Sequence, residues 1–232
     1  MGQVAHLTGV SVVLLDVNET LSDTSALSAA FEAVGAPGHL APTWFAAVLR
    51  DGFALTLVGA AAPFPDVARA LARSVLSAHV PDASLDDAAD AVVAAVGGLP
   101  LHPDVAGGLR ALAAAGLRVV TLTNGAVEVS ERLLVSGGAR EPVERLLSVA
   151  DAEGGAWKPA AAAYRSALQA CGVEPGEAVL VAVHPWDVDG AARAGLRTVW
   201  VDRSGAPYPE VFRDPDATVR SLEDLPRLLR RG

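Results

Sequence analysis

The stretch Leu14-Leu15-Asp16-Val17-Asn18-Glu19-Thr20-Leu21 decides how this chain is read. It closes an almost continuously apolar run, residues 11–17, with a carboxylate, and strands buried on both faces have this composition. Further runs of the same kind stand at 117–122, 178–183 and 197–201, with a weaker one at 146–149, and helical patterns separate them. Strands alternating with helices imply an α/β fold built on a parallel sheet.

Working outward from the first strand, the stretch between residues 17 and 117 has no strand signal, which far exceeds an ordinary βα connection. Its apolar spacing is helical at 25–34, 43–58, 65–77 and 85–96. Ser84 with Asp87 three residues on reads as a capping box in which Asp replaces Glu. Pro37, Pro42, Pro63, Pro65, Pro81 and Pro100 read as loop punctuation, and Gly52 weakens the second helix. The expected organisation is a core from residues 1–22 and 100–232, with an all-helical cap inserted at 23–99.

With 51% hydrophobic and 19% charged residues, the 232-residue chain can bury a sizeable core. A formal net charge of −9 argues against nucleic acid as a partner. The one basic cluster, Arg227, Arg230 and Arg231, reads as charge at a helix C-terminus. Local positive charge in a pocket still leaves a small anionic substrate open. Cys171 is the only cysteine, so an internal disulfide and a multi-cysteine metal site are excluded, and a buried structural thiol is expected. The N-terminus lacks a cationic leader and the first apolar run stops at Asp16, so no membrane segment and a cytoplasmic location are expected.

Ligands of parallel sheets bind at the carboxyl ends of the strands. Asp16 ends the first run, Thr123-Asn124-Gly125 the second, Lys158 follows the third, and His184-Pro185-Trp186-Asp187 the fourth. Together they supply an acid, a hydroxyl, an amide and a cation to one crevice.

A strand-end Asp followed by Thr-Leu, then Thr-Asn-Gly, Lys-Pro and a closing Asp, around a cap inserted after the first strand, resembles the haloacid dehalogenase superfamily with its Rossmann-like core. The metal-independent 2-haloacid dehalogenases are the most similar branch, with Tyr164 six residues after Lys158, Trp186-Asp187, and Asp202-Arg203-Ser204-Gly205. The resemblance implies Asp16 as nucleophile, Lys158 as the cation that keeps it ionised, and Asp187 as Lys158's partner and an aid in activating water. It implies that Thr20 and Thr123 hold carboxylates, that Asn124 is a substrate or oxyanion donor, and that Tyr164 is a hydroxyl of the pocket wall. Asn18 and Trp186 complete the implied pocket. No cofactor or metal is implied, the substrate is a small-molecule carboxylate, and a homodimer is compatible with this branch.

Departures from the pattern keep alternatives open. Asn18 stands where the superfamily's phosphatases carry a second Asp, and Val183 where they carry a magnesium-binding acid, so a Mg²⁺-dependent phosphatase would lack both groups. Glu19 and Asp189 are the nearby carboxylates, read as surface groups. The dehalogenases resemble one another in a Trp-Arg pair on a cap helix, whereas this chain has Trp44-Phe45. Arg50 is the next cation on that helix, about 140° away around the helical wheel. His184 replaces an expected asparagine and can titrate near neutrality, so it is a candidate for activating water. His102 reads as a loop residue. Hydrolytic ring opening of a strained small carboxylic acid and a non-catalytic binding protein are the other readings.

Overall fold

The computed structural model describes residues 7–151 and 154–230. A short strand β1 (Leu7–Thr8) leads into β2 (Val12–Leu15). Four helices follow: α1 (Leu27–Ala33), α2 (Leu40–Leu57), α3 (Phe64–Leu76) and α4 (Leu85–Val96). Helices and strands then alternate through α5 (Val105–Ala114), β3 (Arg118–Thr123), α6 (Val127–Ser136), β4 (Val143–Ser148), α7 (Ala161–Cys171), β5 (Ala178–Ala182) and α8 (Pro185–Arg193). The chain closes with β6 (Arg197–Val201), β7 (Ala217–Val219), α9 (Leu225–Leu228) and β8 (Leu229–Arg230).

Six strands form one parallel sheet in the order β4-β3-β2-β5-β6-β7, and β1 pairs with β8 beside it. From β2 the connections run one way to β3 and β4, and from β5 the other way to β6 and β7. The direction therefore reverses at the central pair β2 and β5, which opens a crevice at their carboxyl ends. The central strands are wholly buried because alternate residues feed two cores. Val12, Leu14, Leu180 and Ala182 pack toward α7 and the four-helix segment, while Val13, Leu15, Val179 and Val181 pack toward α5 and α9.

The four helices form a unit entered and left at neighbouring points. Ser22 and Leu101 make an antiparallel bridge, the Asp23 amide donates to Pro100 O (2.8 Å), and the His102 amide donates to Leu21 O (2.9 Å). Inside the unit, Trp44 Nε1 donates to Ala68 O (3.0 Å) and its ring meets Phe31 at 5.7 Å. No helix among the described residues is long and apolar enough to cross a membrane.

Several details differ from the sequence reading. Pro42 and Pro65 lie in the first turns of α2 and α3, where the missing N–H has no intrahelical acceptor to lose, rather than in loops. Ser84 makes no side-chain capping bond, because it belongs to the 3-10 turn Asp82–Ser84 and its backbone is not extended. α9 is only four residues long and Arg230 lies in β8, so the basic cluster does not end a long helix; Arg231 falls outside the described residues, as do residues 1–6 of the N-terminus. Cys171 is buried at the end of α7.

Candidate active site

The loop after β2 returns on itself, with the amides of Leu21 and Ser22 both donating to Val17 O (2.8 and 3.1 Å). That turn needs a left-handed residue, and Glu19 takes it with φ 62°. Thr20 is thereby brought back beneath Asp16 and donates its hydroxyl hydrogen to Asp16 Oδ2 at 2.7 Å, while accepting the Val183 amide at 3.1 Å.

Lys158 comes from the loop after β4 and is fully buried. Its Nζ lies 2.8 Å from Asp16 Oδ1 and 2.6 Å from Asp187 Oδ2. Asn124 locks the lysine backbone: its Oδ1 accepts the Lys158 amide (2.9 Å) and its Nδ2 donates to Lys158 O (3.4 Å). Asp187, in the first turn of α8, receives the Tyr164 hydroxyl on Oδ1 at 2.6 Å. Burial alone would raise the Asp16 carboxyl, but the Lys158 ammonium and the His184 ring outweigh it and hold it well below the usual carboxylate range. Burial would likewise discharge Lys158, yet the charges of Asp16 and Asp187 keep its affinity for the proton above the ordinary value. Burial and the nearby Asp16 charge push Asp187 upward against the pull of Lys158.

His184 caps the N-terminus of α8 and lies between two acids. Its Nδ1 is 3.2 Å from Asp16 Oδ2 and its Nε2 is 2.7 Å from Glu19 Oε2. Carboxylates only accept, so both ring nitrogens donate and the ring is an imidazolium. Burial opposes that charge, but the hydrogen bonds to Asp16 and Glu19 raise its pKa to about 9. The ring stacks on Trp186 with centroids 4.7 Å apart, and Trp186 meets Phe53 at 4.9 Å.

Asp16, Thr20, Lys158, Asp187 and His184 thus converge, with Asn124, Tyr164 and Trp186 touching them. Others among the anticipated residues are placed differently. Tyr164 is completely buried and holds Asp187, so it is not part of a pocket wall. Thr123 accepts the Gly125 amide at 2.9 Å and, among the described residues, has no bond to a carboxylate. Asn18 and Thr123 line a cavity of about 210 Å³ with Phe64, Val93 and Val96. Phe45 is buried and lines a second cavity of about 390 Å³ with Glu19, His184, His102 and Arg203. Arg50 is not brought to the site: its side chain is 70% exposed and pairs with Asp51, because the buried face of α2 is formed by Ala41, Trp44, Phe45, Val48 and Gly52. Asp189 pairs with Arg193 outside the cluster.

Two residues were missed. Glu19 read as a surface acid, and the signal that its carboxylate turns inward is a positive φ that the sequence does not print. Trp157 is buried beside Lys158; its amide donates to Thr56 Oγ1 (3.1 Å) and its indole N–H to Ala62 O (3.0 Å), tying the lysine to the helical segment. Gly52 was the available clue, since a glycine within a long helix marks a close approach.

Known proteins share this arrangement of chain. The model of haloacid dehalogenase-like hydrolases matches residues 10–195. Haloacetate dehalogenase H-2 of Moraxella sp. (strain B) is 34% identical over 127 residues, which span 55% of this chain and 56% of that protein. (S)-2-haloacid dehalogenase 1 of Pseudomonas sp. (strain CBS-3) is 30% identical over 94% of this chain and 92% of its own. The solved structure of L-2-haloacid dehalogenase from Xanthobacter autotrophicus with chloropropionic acid covalently bound superposes with a TM-score of 0.82 at 26% identity, over 94% of this chain and 98% of that one. With a match over most of its length and the strand-end cluster in place, this chain belongs to the haloacid dehalogenase-like hydrolases.

Proposed function

We propose that the chain is a metal-independent hydrolase of the 2-haloacid dehalogenase type, converting a small (S)-2-haloalkanoate to a 2-hydroxyalkanoate through an ester on Asp16. The observation that carries this reading is the Lys158 ammonium buried between Asp16 and Asp187. A carboxylate attacks saturated carbon only when it is charged and poorly hydrated; the fixed ammonium at 2.8 Å supplies the first condition and the burial of Asp16 the second.

Asn18 and Val183 stand where the superfamily's phosphatases carry a second Asp and a magnesium-binding acid. The phosphatase alternative therefore lacks its usual general acid and part of the usual oxygen set for Mg²⁺.

Asp16 displaces halide from the substrate carbon, forming a carbon–oxygen bond as the carbon–halogen bond breaks. Water then adds to Cγ of the ester, and one of its protons passes through the Asp187–Lys158 pair to the departing hydroxyl. The other leaves with the halide as the Asp16 carboxylate is restored. The helical insertion acts as a cap over this site, with Asn18, Phe45 and Trp186 facing substrate. A cytoplasmic, homodimeric enzyme belongs to the same reading.

The test is a single turnover of (S)-2-bromopropionate in ¹⁸O water with enzyme in excess. Label should appear in the Asp16 carboxylate and not in the lactate, at a rate unchanged by EDTA. Label in the first lactate, or a chelator-sensitive rate restored by Mg²⁺, would overturn it.

A further inference from the structure

We propose that Glu19 and His184 make the two oxygens of Asp16 unequal: Oδ1 alone attacks substrate, and Oδ2 stays behind as the ester carbonyl that carries the negative charge when water adds. This rests on Asp16 being the nucleophile.

A carboxylate oxygen has about two lone-pair positions in hydrogen-bonding directions. Oδ2 has both filled, by the Thr20 hydroxyl at 2.7 Å and His184 Nδ1 at 3.2 Å. Oδ1 meets Lys158 Nζ and, among the described residues, no other donor. Only Oδ1 therefore has an electron pair free to form a bond to carbon. Nor can Oδ2 exchange roles with it by a simple flip, since its two donors are fixed from behind. Thr20 accepts the Val183 amide, which leaves its own hydrogen for Asp16. His184 is clamped by Glu19 on Nε2 and by Trp186 against its face.

Glu19 is itself held at several points. Its amide donates to Ser22 Oγ (3.2 Å), its carbonyl accepts His102 Nε2 (3.1 Å), and its Oε1 accepts the Thr24 hydroxyl (3.4 Å). A non-glycine residue kept at φ 62° costs conformational energy, and such positions persist where the surroundings over-determine them. Here that conformation places a carboxylate on the far nitrogen of His184. Glu19 is a positioning residue, and His184, which touches the reacting carboxylate, is a catalytic one.

The consequence appears in the second half of the reaction. When water bonds to Cγ, the Cγ–Oδ2 double bond opens and its electron pair settles on Oδ2, where the Thr20 hydroxyl and the His184 imidazolium are already aimed. When the tetrahedral species collapses, the Cγ–Oδ1 bond breaks, Oδ1 leaves with the product, and the water oxygen takes its vacant place beside Lys158. The next turnover consumes that new oxygen, while the original Oδ2 is never spent.

Repeated turnover of (S)-2-bromopropionate in ¹⁸O water counts this directly. The wild-type protein should release one equivalent of unlabelled lactate per active site and only labelled lactate afterwards. Equivalent oxygens would release two, spread over several turnovers, and that result overturns the inference while leaving Asp16 as nucleophile. Labelled lactate from the first turnover, or no turnover of 2-haloacids at all, overturns the underlying reading and the inference with it. Glu19→Gln and His184→Asn should move the count toward two, and His184→Asn should accumulate the Asp16 ester by intact mass, with turnover slowed ~10²-fold or more. Independently of substrate, ¹⁵N spectra of the His184 ring at pH 8 should show two protonated nitrogens in the wild type and a neutral ring in Glu19→Gln. A neutral wild-type ring overturns the assignment.

Discussion

The indole of Trp157 lies against the backbone of Gly52 in the middle of α2, so closely that a methyl group on Gly52 would overlap the ring. Alanine is the better helix former by about 1 kcal/mol, yet Gly52→Ala should destabilise the protein, since overpacking costs about 1–3 kcal/mol. For a chain of this size each kcal/mol lowers Tm by about 2–4 °C. Trp157 precedes Lys158, so kcat should fall as well. A Tm at or above that of the wild type would show that the ring moves aside freely.

Removing the ammonium should be severe. In Lys158→Ala, Asp16 and Asp187 would face each other buried and without a cation, and breaking a buried pair costs about 3–5 kcal/mol. Asp16 would be driven toward its protonated, unreactive form, and turnover should drop by ~10²-fold or more. Enzyme kinetics together with chemical denaturation check both effects. A variant that keeps more than a tenth of wild-type activity would remove Lys158 from the mechanism.

Alkaline pH should act through His184. Its folded pKa is raised to about 9 from 6.5, so the folded state holds this proton more tightly than the unfolded chain. The stabilisation is complete below the unfolded value and is lost as pH rises through about 9. Asp16 and Glu19 face the ring, Trp186 covers it, and His102, Asp23 and Arg203 line the adjoining cavity. Lys158 is raised and Asp16 lowered from their ordinary values, so neither titrates near pH 9. The pH profile of kcat/KM, which reports the free enzyme, should therefore bend downward near 9 in the wild type and lose that limb in His184→Asn. The same limb in both would assign it elsewhere.

Phe45 should be the easiest route to a better dehalogenase. It borders a cavity of about 390 Å³, which gives a longer side chain room. Phe45→Arg adds a cation for the substrate carboxylate, and a charge-assisted bond of about 1.5 kcal/mol corresponds to roughly tenfold in kcat/KM for 2-chloropropionate. Loss of the ring contacts with Phe64 and Trp44 should lower Tm at the same time. Unchanged or weaker kcat/KM would mean that the carboxylate is bound on the other side of Asp16.

The parts of this arrangement visible in the sequence share one property: their environment repeats locally. β2, β3, β5 and β6 are fully buried over most of their length, so each appears as an almost continuously apolar run, and Asp16, Thr123 and His184 stand out where those runs stop. β7 was not visible, because three edge residues of mixed burial carry no period. The Glu19–His184 contact joins residues 165 positions apart through one left-handed backbone angle, and no local pattern encodes it. Gly52 was noticeable in the sequence and Trp157 was not, and that one fills the space left by the other is a tertiary fact.

The bridge between Ser22 and Leu101 bears on how such proteins diversify. Because departure and return share a single rung of hydrogen bonding, the sheet experiences everything between them as though it were a tight turn. Its register is indifferent to how many helices are threaded through that gate, or to what they carry. Asp16 and Thr20 lie on one side of the gate, and Phe45 on the other. Substrate choice can thus be rewritten wholesale without asking the strands that hold the nucleophile to move.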